Sequence, residues 1–270
     1  YLADEPACQR AERNFFDPYL QVISRLTALT QMGHTTDKVE LIVLGGTFAD
    51  YPTEYQIWFV RELFRALNDF DFDGGADIER RRFYEELGLA SDPAACAERV
   101  RATQNAVSNG TQSFNEAIGE LYLRNPAWQH ASQNQTATLD ELEFEQLRNE
   151  AAAHRNVGLV IETRPDTISP ASLRLFRQLG CTKVQIGVQG IRQELLDAND
   201  RSILLARVQQ AFALLRLFGF KTHAHFMVNL LNATAESDLQ DFIAFVEDAP
   251  WQPDEIKLYP CALIAGTRLE

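Results

Sequence analysis

The chain has 270 residues, 46% of them hydrophobic, and a formal net charge of −13. That length suits a single α/β barrel, and so apolar a chain can bury a core, which excludes a disordered protein. The acidic balance is not the footprint of a free-standing nucleic-acid binder, and no stretch reaches the roughly 20 apolar residues that span a bilayer, so no membrane role is expected.

Tyr1-Leu-Ala-Asp-Glu-Pro-Ala lacks both an initiator Met and the apolar run of a signal peptide. The stop at Gly266-Thr-Arg-Leu-Glu270 is equally abrupt, so both ends read as cuts in a longer cytoplasmic protein. From Asp17 to Gly33, the residues Tyr19, Leu20, Ile23, Leu26 and Leu29 recur on one helical face, and Gly33 suits a C-cap. Val39–Leu44 follows as a strand closed by Gly45-Gly46-Thr47. Its scant polar alternation predicts burial on both faces, as in a parallel sheet. Thr53–Leu67 is the next helix. Residues 70–138 carry no sheet pattern, and a structureless loop of that length is unusual, so a mostly helical insertion is predicted there.

From Leu139 onward strands and helices alternate regularly. Helices are expected at Glu141–His154, Ser172–Leu179, Ile203–Leu217 and Glu236–Val246. Strands are expected at Val157–Ile161, Lys183–Val188, Lys221–Val228 and Glu255–Tyr259. Repeated strand–helix–strand units with short connections predict an α/β fold, a whole or partial (β/α) barrel. No glycine-rich dinucleotide fingerprint opens any helix, which disfavours a doubly wound sheet.

In such folds the reactive groups follow the strands. Here those positions read Gly45-Gly46-Thr47, Glu162-Thr163-Arg164-Pro165, Gln189-Gly190, Asn229, and Lys257 with Tyr259. The paired glycines either make a tight turn or offer free amides to a ligand. Glu162 and Arg164 share a strand face, as a structural ion pair or as partners for hydroxyls and a carboxylate. Lys257 stands in an apolar strand, pointing into the barrel mouth or capping a helix end. His223 and His225 also share a face but lack a third metal ligand, so they read as core or ligand-contacting histidines. Cys8, Cys96, Cys181 and Cys261 have no metal-ligand spacing and read as reduced, mostly buried thiols. Nucleophile-elbow, P-loop and HExxH patterns do not occur.

Longer strings are more specific. Phe16-Asp-Pro-Tyr-Leu-Gln21, Asp37-Lys-Val-Glu-Leu-Ile-Val-Leu-Gly-Gly-Thr47, Ile161-Glu-Thr-Arg-Pro-Asp166, Ile186-Gly-Val-Gln189 and Ile256-Lys-Leu-Tyr-Pro260 stand in one order. In that order they resemble the radical-SAM/acetyltransferase family typified by the catalytic subunit of Elongator, in its bacterial or archaeal form. The resemblance implies a fragment of a radical-SAM barrel, 1–270, from an enzyme that builds a carboxymethyl group on the wobble uridine of tRNA. It implies S-adenosylmethionine (SAM) and a [4Fe–4S] cluster as cofactors and acetyl-CoA as co-substrate. tRNA is then the macromolecular partner, with a second copy or Elongator-like subunits as further ones. By position, Gly45, Gly46 and Thr47 match the loop that holds the SAM amino group. Glu162 and Arg164 match the groups on its ribose and carboxylate, and Ile186, Gly187 and Gln189 match the strand beside its adenine. Lys257 and Tyr259 match a motif of the barrel mouth and are the catalytic candidates.

The family's three-cysteine motif falls before the position of Tyr1, and its acetyltransferase domain is expected beyond this chain. Asn199-Asp-Arg-Ser stands where the family has Asn, Arg, Gly and His, and Met227-Val-Asn-Leu-Leu replaces a Met-Pro-x-Leu-Pro loop. A degenerate barrel that binds tRNA or acetyl-CoA without radical chemistry is the alternative reading.

Overall fold

The computed structural model describes residues 6–72, 74–89 and 93–263; both chain ends and the Cys96 side chain fall outside them. Two compact units are present, Tyr1–Val39 with Thr53–Asn156, and Glu40–Pro52 with Val157–Glu270.

The first unit is helical. It holds α1 (Pro6–Arg13), α2 (Pro18–Gln31), α3 (Thr53–Asp69), α4 (Ile78–Glu86), α5 (Pro93–Ser108), α6 (Phe114–Ile118), α7 (Pro126–Ser132) and α8 (Leu139–Asn149). Segment 70–138 therefore carries α4 to α7, and α2, α3 and α8 pack together. The local causes are caps. Asp17 accepts the Leu20 N–H at 3.1 Å and Pro18 opens the first turn of α2. Ser113 with Glu116, and Thr138 with Glu141, make reciprocal capping boxes at α6 and α8.

One buried charge cluster ties this unit together. Asp17 is fully buried and accepts from Arg80 Nε at 2.7 Å and from the Tyr84 hydroxyl at 2.6 Å. Arg80 also pairs with buried Glu62, which Arg61 contacts at 2.7 Å. Burial opposes the Arg80 charge, but Asp17 and Glu62 outweigh it and hold the guanidinium pKa above its usual value. Burial and Asp17 likewise push the Tyr84 phenol up, so it stays a donor.

The second unit is a partial (β/α) barrel. Its strands are β1 (Lys38–Val43), β2 (Arg155–Thr163), β3 (Lys183–Gln189), β4 (Lys221–Val228) and β5 (Glu255–Pro260), in the order β1-β2-β3-β4-β5. Each pair from β2 to β5 is parallel. Helices α9 (Pro170–Gln178), α10 (Gln193–Ala198), α11 (Leu205–Leu217) and α12 (Ala235–Glu247) connect them. Val184, Ile186, Ala224 and Phe226 are buried on the helix side, with Phe226 at 4.9 Å from the Phe245 ring. Short α10 was not legible as a separate helix from the Ile203–Leu217 pattern, and α8 ends at Asn149, before His154.

β1 departs from expectation. Leu41 and Val43 are buried, whereas Ile42 is 47% exposed, so the strand is covered on one face only. It is an edge strand, and its continuous apolar run does not report two-sided burial. No helix among the described residues is long and apolar enough to cross a membrane.

Removing the central carboxylate tests the charge cluster. Asp17→Ala should cost about 3–5 kcal/mol, since it strands Arg80 without one partner and removes a helix cap. Urea unfolding measures this, with Asp17→Asn retaining the cap and losing less. A loss below about 1 kcal/mol, the range of an exposed ion pair, would contradict a buried network.

Candidate active site at the strand ends

Parallel registers place the polar side chains of the sheet in rows. Glu162, Gln185, His223 and Glu255 are successive cross-strand partners from β2 to β5, and Gly187, His225 and Lys257 make the next row toward the strand ends. Side chains alternate along a strand, so these two rows share the face opposite the helix-packed Val184, Ile186, Ala224 and Phe226. Lower on that face, Lys183 bridges Glu255 at 2.7 Å and Glu40 at 3.5 Å. The Lys183 hydrogen bond is the main reason that the Glu255 carboxyl lies below its usual pKa.

Glu162 lies between two groups. Its Oε2 accepts the Gly45 N–H at 3.4 Å and its Oε1 lies 3.7 Å from His225 Nδ1. Gly45 and Gly46 have φ of 93° and 71°, in the left-handed region that favours glycine, and a Cβ at Gly45 would meet nothing within 4 Å. The Gly-Gly turn thus leaves open space beside the Glu162 carboxylate. The His225 ring stands edge-on to Tyr259, centroids 5.8 Å apart, and Tyr259 is 43% exposed.

Both histidines are held toward the neutral form. Burial lowers the His225 pKa; Glu162 opposes this and Lys257 adds to it. For His223, burial and then Lys257 lower the pKa against the pull of Glu255. His223 Nδ1 lies 3.3 Å from Glu255 Oε2, whereas His223 Nε2, His225 Nε2 and Gln185 Oε1 are buried and make no hydrogen bond within the described chain. Unpaired buried polar atoms are costly, so this face is built to receive a hydrogen-bonding group.

Arg164 lies just past β2 and does not pair with Glu162. It makes a two-pronged contact with Asp166, at 2.9 and 2.7 Å, and its side chain is 50% exposed. Arg164 keeps extended backbone just before the short 3₁₀ segment at Pro165–Thr167, and its guanidinium is engaged by Asp166 instead of Glu162. Arg201 is a residue that sequence reasoning missed. Its Nη2 donates to the Gly187 carbonyl at 2.7 Å, and a Cβ on Gly187 would come within 3.0 Å of that nitrogen. Burial and then Arg164 push the Arg201 pKa down. Its only signal was the departure at Asn199-Asp-Arg-Ser, which carries no spacing rule. The ladder of β3 and β4 shifts between Gly187 and Gln189, and Gln189 takes a φ of 70°.

The structure therefore gathers Gly45, Gly46, Glu162, Lys257 and Tyr259 around His225, with Gly187 beside them. Ile186 is buried on the helix side. Thr47 precedes the short 3₁₀ turn Phe48–Asp50 and makes no side-chain cap there. The described histidines, cysteines and carboxylates form no group of three able to hold a metal. Cys181 is buried, its thiol pushed up to about 12 by burial.

Residues 133–246 match the model of the radical SAM superfamily, a stretch that includes Glu162, Arg164, Ile186, Gly187 and Gln189. Along its whole length this chain is 32% identical to Elongator complex protein 3 of Danio rerio, covering 37% of that protein. It is 30% identical to a tRNA uridine(34) acetyltransferase of Methanocaldococcus infernus, covering 38% of it. The chain thus spans well under half the length of these relatives. The solved structure of the archaeal Methanocaldococcus infernus Elp3 with an N-terminal deletion superposes with a TM-score of 0.66 at 30% identity. That superposition covers 94% of this chain and 44% of the archaeal one.

The electrostatics fix a pH response. His223 and His225 have folded pKa values below the usual 6.5, so the unfolded chain binds their protons more readily. Their contribution to stability is present above about 6.5 and is lost as pH falls through the depressed folded values. An NMR titration should find both imidazoles below 6.5, and Glu162→Gln should lower His225 further. Titration at or above the usual value would show that the charged form is favoured.

Proposed function

We propose that the chain belongs to the radical SAM superfamily, in the family of Elongator complex protein 3 and the tRNA uridine(34) acetyltransferases, and that it is the barrel of an enzyme forming a carboxymethyl group on wobble uridine. The observation that carries this reading is the gathering of Gly45, Glu162, His225, Lys257 and Tyr259 at one end of the parallel sheet.

These residues fit SAM. Gly45, Gly46 and Thr47 hold its amino group, where the left-handed glycines keep the space clear. Glu162 takes the ribose hydroxyls and Arg164 the carboxylate, for which a guanidinium fork is suited. Gly187 and Gln189 line the adenine side, to which Ile186, buried on the helix side, contributes backbone alone. When bound, SAM supplies the hydrogen-abstracting chemistry of the superfamily. The described side chains do not fit a [4Fe–4S] cluster, because no three of them converge on one point. In the family that the sequence resembles, those ligands come from a three-cysteine motif outside the described residues.

Lys257 and Tyr259 line the opposite side of the mouth and act on the acyl donor, acetyl-CoA, and the target base. An ammonium there stabilises charge building on a carbonyl oxygen, and an exposed ring offers a stacking face. Tyr259 has that exposure, and His225 holds its ring at an edge. The working partners are tRNA and acetyl-CoA, in the cytoplasm, with a second copy or Elongator-like subunits completing the assembly.

The test uses the full-length parent protein, purified without oxygen. Iron and sulfide are measured first, then 5′-deoxyadenosine release from SAM with tRNA and acetyl-CoA. About four irons per chain, as one [4Fe–4S] cluster requires, with tRNA-dependent release, supports the radical enzyme. Iron-free protein that still binds tRNA would leave a binding scaffold. Within that enzyme, Arg164→Ala should weaken SAM by about 1.5–2 kcal/mol, the low end for a charged hydrogen bond given its exposure. Unchanged SAM affinity would remove Arg164 from the site.

A further inference from the structure

The mouth residues differ in what they already touch. Glu162 Oε1 lies on the Nδ1 side of His225 at 3.7 Å, too long for a hydrogen bond but close enough to favour the proton on that nitrogen. His225 Nε2 is then a lone-pair acceptor, and it is buried and makes no hydrogen bond within the described chain. Lys257 is the cross-strand partner of His225, and Tyr259 lies edge-on to the same ring at 5.8 Å. One strand face thus offers an acceptor, an adjacent ammonium donor and an aromatic surface.

We propose that His225, Lys257 and Tyr259 form a seat for a uracil ring, with His225 Nε2 accepting the imide N–H and Lys257 donating to a flanking carbonyl. This rests on the uridine reading above. Uracil presents an N–H donor between two carbonyl acceptors, which complements an acceptor beside a donor. Cytosine inverts the ring-nitrogen contact, and the second as well when Lys257 faces the C4 side. Its ring nitrogen would set a lone pair against Nε2, and its amino group would set N–H donors against the ammonium. Tyr259 supplies stacking, which any base accepts, so selectivity falls on His225 and Lys257.

The seat works only with a neutral imidazole. The groups facing His225 are Glu162 from β2, Lys257 and Tyr259 from β5, and His223 along its own strand. β3 presents bare Gly187, whose carbonyl Arg201 occupies. Burial and Lys257 keep the ring neutral, and acidification removes the acceptor.

Two substitutions in the full-length enzyme separate the roles of the ring nitrogens. His225→Gln places an amide oxygen near the position of Nε2, whereas His225→Asn replaces only the Nδ1 side. Wobble-uridine product is read by mass spectrometry of the tRNA nucleosides, with a transcript carrying cytidine at that position in parallel. The expected result is a tenfold or greater loss for His225→Asn and a clearly smaller loss for His225→Gln, which keeps an acceptor at that position. The wild type should lose product as pH falls through the His225 titration, and His225→Gln should not. Equal loss in both variants, full activity in both, or a wild-type pH profile in His225→Gln would overturn the seat. If the unsubstituted enzyme makes no product on the uridine tRNA, the proposed function itself fails, and the seat falls with it.

Discussion

Parallel pairing of β2 to β5 is the constraint from which the candidate site follows. When neighbouring strands run the same way, their C-terminal ends meet at one edge of the sheet, and in-register partners carry side chains to the same face. Glu162, His225 and Lys257 come from segments separated by scores of residues, yet no loop rearrangement is needed to bring them together. A one-residue slip of β4 would send His223 and His225 into the helix layer and bring Ala224 and Phe226 to the mouth. The apolar packing of Phe226 against Phe245 therefore fixes the position of His225 as firmly as any polar contact does.

The two units treat charge differently. In the helical unit, Asp17, Glu62 and Arg80 satisfy one another. On the inner face of the sheet, carboxylates and lysines also pair lower down, at Lys183, but the imidazoles above them keep unused nitrogens. A fully satisfied network contributes rigidity, whereas spare hydrogen-bonding capacity is a cost that a ligand offsets. The contrast is between that cluster and the inner face of the sheet, since Arg99 Nε and Trp128 Nε1 of the helical unit are also buried without a hydrogen bond.

Much of this architecture was legible in the sequence, because strand–helix alternation after Leu139 is a strong periodic signal and a C-cap glycine such as Gly33, with φ of 81°, is local chemistry. The shared face of His223 and His225 was also legible, being a consequence of strand geometry alone. Edge placement of β1 was not, since a run of apolar residues carries no record of which neighbour a strand lacks. Arg164 keeps the extended backbone that alternation from Glu162 implies, but its two-pronged bond to Asp166 was not legible from that alternation. Arg201 was invisible because its partner is a backbone carbonyl exposed by an irregular ladder, a feature no side-chain pattern encodes.

The Asp17, Glu62 and Arg80 cluster has an evolutionary consequence. Arg80 and Tyr84 lie within residues 70–138, while the two carboxylates they neutralise lie outside that segment. A lineage that shortened the segment would leave two acids sealed in an apolar interior, so the loss could become fixed only alongside neutral residues at positions 17 and 62. The segment is thereby an inherited commitment, retained by its interior chemistry whatever its outer surface does. Among relatives these three positions should change in concert or not at all.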